Sequence, residues 1–128
     1  MEERPDSALT ILKSMPQEKL ITKELKARYS LLYAMALDKN YIDTTNLDVI
    51  SPAIEYYSRY GSPIEKMKTY FYQGCIYANR MENDRAMYCW QLSLDDSLNV
   101  DDNHYKGLIN SAISVIYPQF RKLPKVFA

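Results

Sequence analysis

Both cysteines of the chain, Cys75 and Cys89, fall in one stretch, YFYQGCIYANRMENDRAMYCW (70–90), together with the single tryptophan, Trp90. Two thiols this close could form a redox pair. The aromatics Tyr70, Phe71, Tyr72 and Tyr77 around Gly74 could line a ligand box. The same residues also read as the packing code of a helical hairpin, since small and large apolar side chains are what two crossing helices need. A second cluster, Asp101, Asp102 and His104 in DDNHY, holds the only histidine. These are metal-ligand types, but Asp and Asn also accept the unpaired N–H groups of a helix start and suit its dipole. Capping is the stronger reading, and neither a metal nor any other cofactor is expected. HExxH, CxxC, GxSxG and glycine-rich phosphate loops are all missing. Without such a constellation the chain is not expected to be an enzyme.

The 128 residues suit one domain, and 47% hydrophobic with 25% charged residues is an ordinary globular profile. Sixteen basic residues balance sixteen acidic ones, so bulk charge gives no attraction to nucleic acid. Three glycines are too few for a sandwich or barrel with many tight turns. No apolar run approaches the roughly 20 residues that cross a bilayer, so this segment is not expected to insert into a membrane. MEERPDSAL lacks the apolar stretch of a signal peptide. The ending RKLPKVFA has no clear cap, as in a domain cut from a longer protein.

Apolar residues recur at helical spacing almost throughout, with no alternation by two, so the class is all-α. The first helix spans 6–15, ending before Pro16. Thr22 caps a second that reaches Lys39. A loop rich in Asp, Thr and Asn follows, and Ser51 with Pro52 reads as an N-cap and first-turn pair. That helix stops at Tyr60, with Gly61 as the residue beyond its end. Ser62, Pro63 and Glu65 make a capping box for a helix to about Arg80. Asn83 or Asp84 opens the next, ending near Leu98, and Asp101 to Asn103 open the last, which Pro118 stops. A further short turn or helix after Pro118 would bring the total to about seven.

The stretch 70–90 also fits W-x2-L-G-x2-Y followed by A-x3-F. Tyr70, Gln73, Gly74 and Tyr77 take the first set of places, Ala86 and Trp90 the second, and Leu98 stands where proline is usual. Ala34, Gly74 and Ser114 are small residues at intervals of 40, each followed three places on by Leu37, Tyr77 or Tyr117. Ala53 and Tyr57 form the A-x3-F pair of the earlier unit. The chain thus resembles the tetratricopeptide repeat family over nearly its whole length. It divides into an orphan helix 6–15, repeats 22–60 and 62–98, and a degenerate partial repeat 101–128. The runs ALDKNYID and PAIEYY resemble the N-terminal repeat domains of Bacteroidetes members.

The resemblance implies an α-α superhelix that binds a protein or peptide on its concave face, without catalysis. By register that face carries Arg28, Leu31, Leu32, Met35 and Lys39 in one unit. The next unit gives Lys68, Phe71, Tyr72, Cys75 and Asn79, and the third gives Leu108, Ser111, Val115 and Gln119. Family members that clamp a carboxylate use paired Lys and Asn there, and Leu31, Met35 and Phe71 argue against such a clamp here. Cys75 falls on the inner face and Cys89 beside Trp90, on helices expected about 8–10 Å apart. Cα atoms must come within about 7 Å for a disulfide, so free thiols are expected. The Bacteroidetes members imply a cell-envelope location, with the cytoplasm as the alternative. A sensory domain of a membrane-anchored regulator is the alternative function. Truncated arrays expose apolar surface, so a homodimer is a further expectation.

Overall fold

Residues 5–16 and 20–116 are described by a computed structural model, and among them there are six α-helices and no strand. They are α1 (Pro5–Ser14), α2 (Lys23–Lys39), α3 (Ser51–Tyr60), α4 (Pro63–Asn79), α5 (Asn83–Ser97) and α6 (Asn103–Ile116). Tyr117, Gln119 and the element expected after Pro118 lie outside the described residues.

Most helix starts follow their local chemistry. Thr22 Oγ1 accepts from Leu25 N at 3.0 Å. Ser62 and Glu65 close the capping box from both sides, at 3.3 and 2.9 Å. Asp102 Oδ1 accepts from Tyr105 N at 3.2 Å, so one carboxylate of the DDNHY cluster is a cap. Two expectations change. Ser51 does not cap α3. A 3-10 turn, Leu47–Val49, runs straight into the helix, so Ile50 already has helical angles and takes the N-cap place without a side-chain bond. The Ser51 hydroxyl instead donates back to Leu47 O at 2.9 Å. Gly61 is not left-handed: it is extended, at φ −76° and ψ 153°, because the next residue already caps α4. Its lack of a side chain serves close approach. A Cβ there would stand 2.6 Å from Tyr57 O, the atom that accepts the Gly61 N–H.

The left-handed residues are Tyr41 (φ 59°) and Met81 (φ 63°). Each follows its helix by the same bonds. Tyr41 N donates to Asp38 O and Ile42 N to Leu37 O, while Met81 N donates to Ala78 O and Glu82 N to Tyr77 O. This is a Schellman ending made without glycine. The two endings are 40 residues apart, the interval that separates Ala34 from Gly74.

α4 packs most extensively on α5, and the pair is antiparallel. Along α5 the residues Cys89 and Ser93 bond to Gln73 and then Met67 as α4 runs backwards. The closest point is Gly74 against Trp90. A Cβ on Gly74 would lie 2.4 Å from the indole nitrogen. Trp90 is buried, and its Nε1 donates to Phe71 O at 3.1 Å. α2 pairs with α3 through the fully buried Ala27 and Ala53, and the Ser30 hydroxyl donates to Val49 O at 2.6 Å. α1 lays Leu9 and Leu12 on Ala36 and Leu37 of α2. α6 adds Tyr105, Ile109 and Ile113 to the main core. Each helix meets its sequence neighbours, and α4 also meets α2 and α6.

The glycines give a paired prediction. Gly74→Ala must push against a rigid buried indole and should cost about 1–3 kcal/mol in urea unfolding. Gly107 sits in α6 with no atom within 4 Å of an added Cβ, so Gly107→Ala should stabilise by roughly 0.5–1 kcal/mol. Equal effects at the two positions would show that the α4–α5 crossing is looser than this.

Candidate interaction face

The strip read from the repeat register divides into three parts. Leu31, Met35, Phe71 and Tyr72 do not face open solvent; all four belong to the main core. For Phe71 and Tyr72 the reason is α6, whose Tyr105 comes across α4; Leu31 and Met35 lie on α2, which packs against α3 and α4. The Tyr105 ring lies 6.0 Å from Phe71 and 6.3 Å from Tyr72, both edge-on, and Phe71 meets Tyr72 edge-on at 5.0 Å. The Tyr72 and Tyr105 hydroxyls share a hydrogen bond of 3.1 Å. Burial, and then Tyr105, pushes the Tyr72 phenol well above its ordinary range, so it stays protonated. Aromatic pairs in these geometries add to the area they bury.

Arg28 and Lys68 form the rim. Arg28 is exposed and pairs with Glu24 at 3.5 Å, one helical turn away. Such an exposed pair contributes little to stability. Lys68 holds its ammonium 5.3 Å from the centre of the Tyr105 ring, within cation–π range.

Cys75 and Asn79 lie at the far end of α4, under the α2–α3 connection. Asn79 Nδ2 donates to Thr44 O at 3.0 Å, and Arg80 Nη1 to Thr45 O at 3.2 Å. Two side chains of one helix end thus hold two successive carbonyls of an extended strap. Ile42 and Thr44 of that strap line one crevice with Asp38, Tyr72, Cys75 and Ile76. Burial pushes the Cys75 thiol up to about 12, with Asp38 adding to the rise. Burial also raises Cys89 to about 11. Both cysteines are free, and the Cys89 thiol donates to Gln73 Oε1 at 3.3 Å. Neither is set up as a nucleophile, which needs a lowered pKa.

The packing residues read from the repeat are placed as follows. Ala34, Ala53, Tyr57, Gly74, Ala86 and Trp90 are buried, while Tyr70, Tyr77 and Ser114 are half-buried. His104 is exposed and meets Tyr105 edge-on at 5.6 Å. Sequence reasoning missed Tyr105 and Arg80. In the sequence Tyr105 is one apolar position of the last helix, and nothing local says that it crosses α4. Comparisons with sequence models of known families, with curated proteins and with solved structures returned no match.

Two predictions follow from the strap and the thiols. Asn79→Ala with Arg80→Ala should speed iodoacetamide labelling of Cys75 several-fold at unchanged helicity, read by mass spectrometry. An unchanged rate would mean that the strap does not cover the thiol. The folded thiol values lie above the ordinary 9, so folding holds these protons more tightly. Their contribution is whole below pH 9 and is lost as pH rises from about 9 to about 12. Cys75→Ala with Cys89→Ala should therefore flatten the fall in melting temperature above pH 9, a difference absent at pH 7.

Proposed function

We propose that the chain is a non-catalytic scaffold of the tetratricopeptide type, built from stacked helical hairpins, that binds a protein or peptide partner. The observation that carries this reading is the packing order. Successive helices meet in turn, and α2, α4 and α6 also meet one after another. Hairpins that stack with their first helices side by side would pack in that order, each unit touching only its neighbours. The Gly74–Trp90 crossing and the matched helix endings at Tyr41 and Met81 support the same reading.

The partner face is narrower than the full register strip. With Leu31, Met35, Phe71 and Tyr72 in the core, it retains Arg28, Leu32 and Lys68, and on α6 Ser111 and Val115. Leu32 is 37% exposed and Val115 70%, so the face offers apolar contacts beside two cations. Such a surface favours amphipathic partners, among them a second copy of this chain. A carboxylate clamp is disfavoured, since apolar core residues hold the places where its Lys and Asn would stand.

Site-specific photo-crosslinking in cells that make the protein tests this. A crosslinker at Arg28, Lys68 or Val115 should give one discrete adduct that the same group at Tyr88, exposed on α5, does not give. Adducts of equal yield at Tyr88, or none at the three face positions, would reject the scaffold reading for this face.

A further inference from the structure

A groove runs along α2 from Lys23 to Tyr33, apart from the face just described and sharing none of its residues. At one end Lys23, Glu55, Tyr56, Arg59 and Tyr60 surround a cavity of about 190 Å³. At the other, Leu20, Tyr29, Ser30, Tyr33, Asp48 and Val49 surround one of about 310 Å³. Lys26 and Pro52 line both, so the two cavities adjoin along α2 and α3. Lys23, Lys26, Ser30 and Tyr33 are spaced by three and four, so they form one stripe of α2. Pro52, Tyr56 and Arg59 repeat the spacing on α3. The stripe spans ten residues at 1.5 Å each, or about 15 Å, the length of roughly four to five extended residues.

The chemistry changes along the groove. Among the described residues no ion pair involves Lys23, Lys26 or Arg59. Glu55 is the one carboxylate among the residues lining that end. The Tyr56 and Tyr60 rings lie 5.2 Å apart and tilted, and Tyr60 is 66% exposed, so an aromatic wall stands beside the cations. At the other end the polar atoms are largely engaged. The Tyr29 hydroxyl donates to Leu12 O at 2.7 Å, and Ser30 donates to Val49 O. Beside Asp48, what that end offers an occupant is mainly ring and aliphatic surface from Tyr29, Tyr33, Leu20 and Val49.

We propose that this groove docks an extended segment of a protein partner carrying acidic side chains at one end and apolar ones at the other. The carboxylates lie among Lys23, Lys26 and Arg59, and the apolar side chains rest on Tyr29 and Tyr33. Lys23, Lys26 and Arg59, which have no ion pair among the described residues, outnumber Glu55 at one end and supply the charge complementarity, and the engaged hydroxyls of Tyr29 and Ser30 turn the other end toward apolar contact. A nucleic acid or an anionic membrane would call for a broad positive field. Asp48 and Glu55 in the walls, and a chain with no net charge, interrupt any such field, so the cations can serve only a compact acidic segment set among them.

The test is an NMR titration of the full chain, isotope-labelled, with two probes: acetyl-Asp-Glu-Ile-Phe-amide and the same residues in reverse order. One of them should shift the amides of Lys23, Lys26, Tyr56 and Arg59 saturably, and less as salt rises. Lys23→Glu with Arg59→Glu should weaken that binding about tenfold or more. Both side chains are exposed, so the fold should be kept, as the unchanged remainder of the spectrum will report. Replacing the probe's acids with their amides should weaken binding equally, whereas Arg85→Glu on α5 should not. The proposal is overturned if neither probe binds saturably, if the amide probe binds as well, or if the reversed charges make no difference. Phosphatidylserine vesicles shifting these amides while neither peptide does would overturn it in favour of a membrane surface.

Discussion

The closeness of α4 to α5 at Gly74 is the constraint from which most of the structure follows. With no side chain at Gly74, the Trp90 indole lies against the α4 backbone, and its N–H reaches a second lone pair of Phe71 O. The bond satisfies a donor that would otherwise be buried unpaired, at a cost of about 1–3 kcal/mol. It also fixes the rotation of α4. Once Gly74 faces α5, helical spacing turns Phe71 and Tyr72 to the side where Tyr105 of α6 meets them. α4 then touches α2, α3, α5 and α6. A larger residue at Gly74 would disturb the hairpin and the seat of α6 together.

The interval of 40 residues has a backbone counterpart. Tyr41 and Met81 both take the left-handed conformation after a long helix, and both endings return the chain through the same pair of bonds. The two exits then differ. After Met81 the next helix begins at Asn83, while after Tyr41 the chain travels through a strap and a 3-10 turn before Ser51. The extra length is used: Asn79 and Arg80, at the end of the second long helix, bind the strap that leaves the first. The end of α4 thus holds the loop that leaves α2, a contact between distant segments that is separate from core packing.

Much of the fold was legible because it is written in local chemistry. Thr22, the Ser62–Glu65 box and Asp102 act where their types said they would. The small residue at Gly74 and the large one at Trp90 announced a close crossing. The Schellman endings were not legible, since neither Tyr41 nor Met81 carries the glycine that marks such a site. Ser51 misled because a 3-10 turn, set by Asn46 and the loop, occupied its capping position. The interaction strip was legible as a register but not as a surface. Which of its residues reach solvent depends on α6 and on the strap, both remote in sequence.

This division bears on where specificity can reside. The aromatic residues that gave the inner strip its site-like look are spent on holding α6. A buried tyrosine couple that shares a hydrogen bond can set the relative position of two helices, but its burial keeps it from meeting a ligand. On the partner-binding reading proposed above, recognition falls to groups whose partners are not already within the chain. Arg28 and Lys68 meet that condition poorly, since one pairs with Glu24 and the other rests on Tyr105. Lys23, Lys26 and Arg59 meet it better, because no ion pair among the described residues engages them and two tyrosine rings stand beside them. The α2–α3 groove is therefore the place where a partner's acidic side chains would contribute most to choosing this surface over others, and the inner face would supply area more than selection.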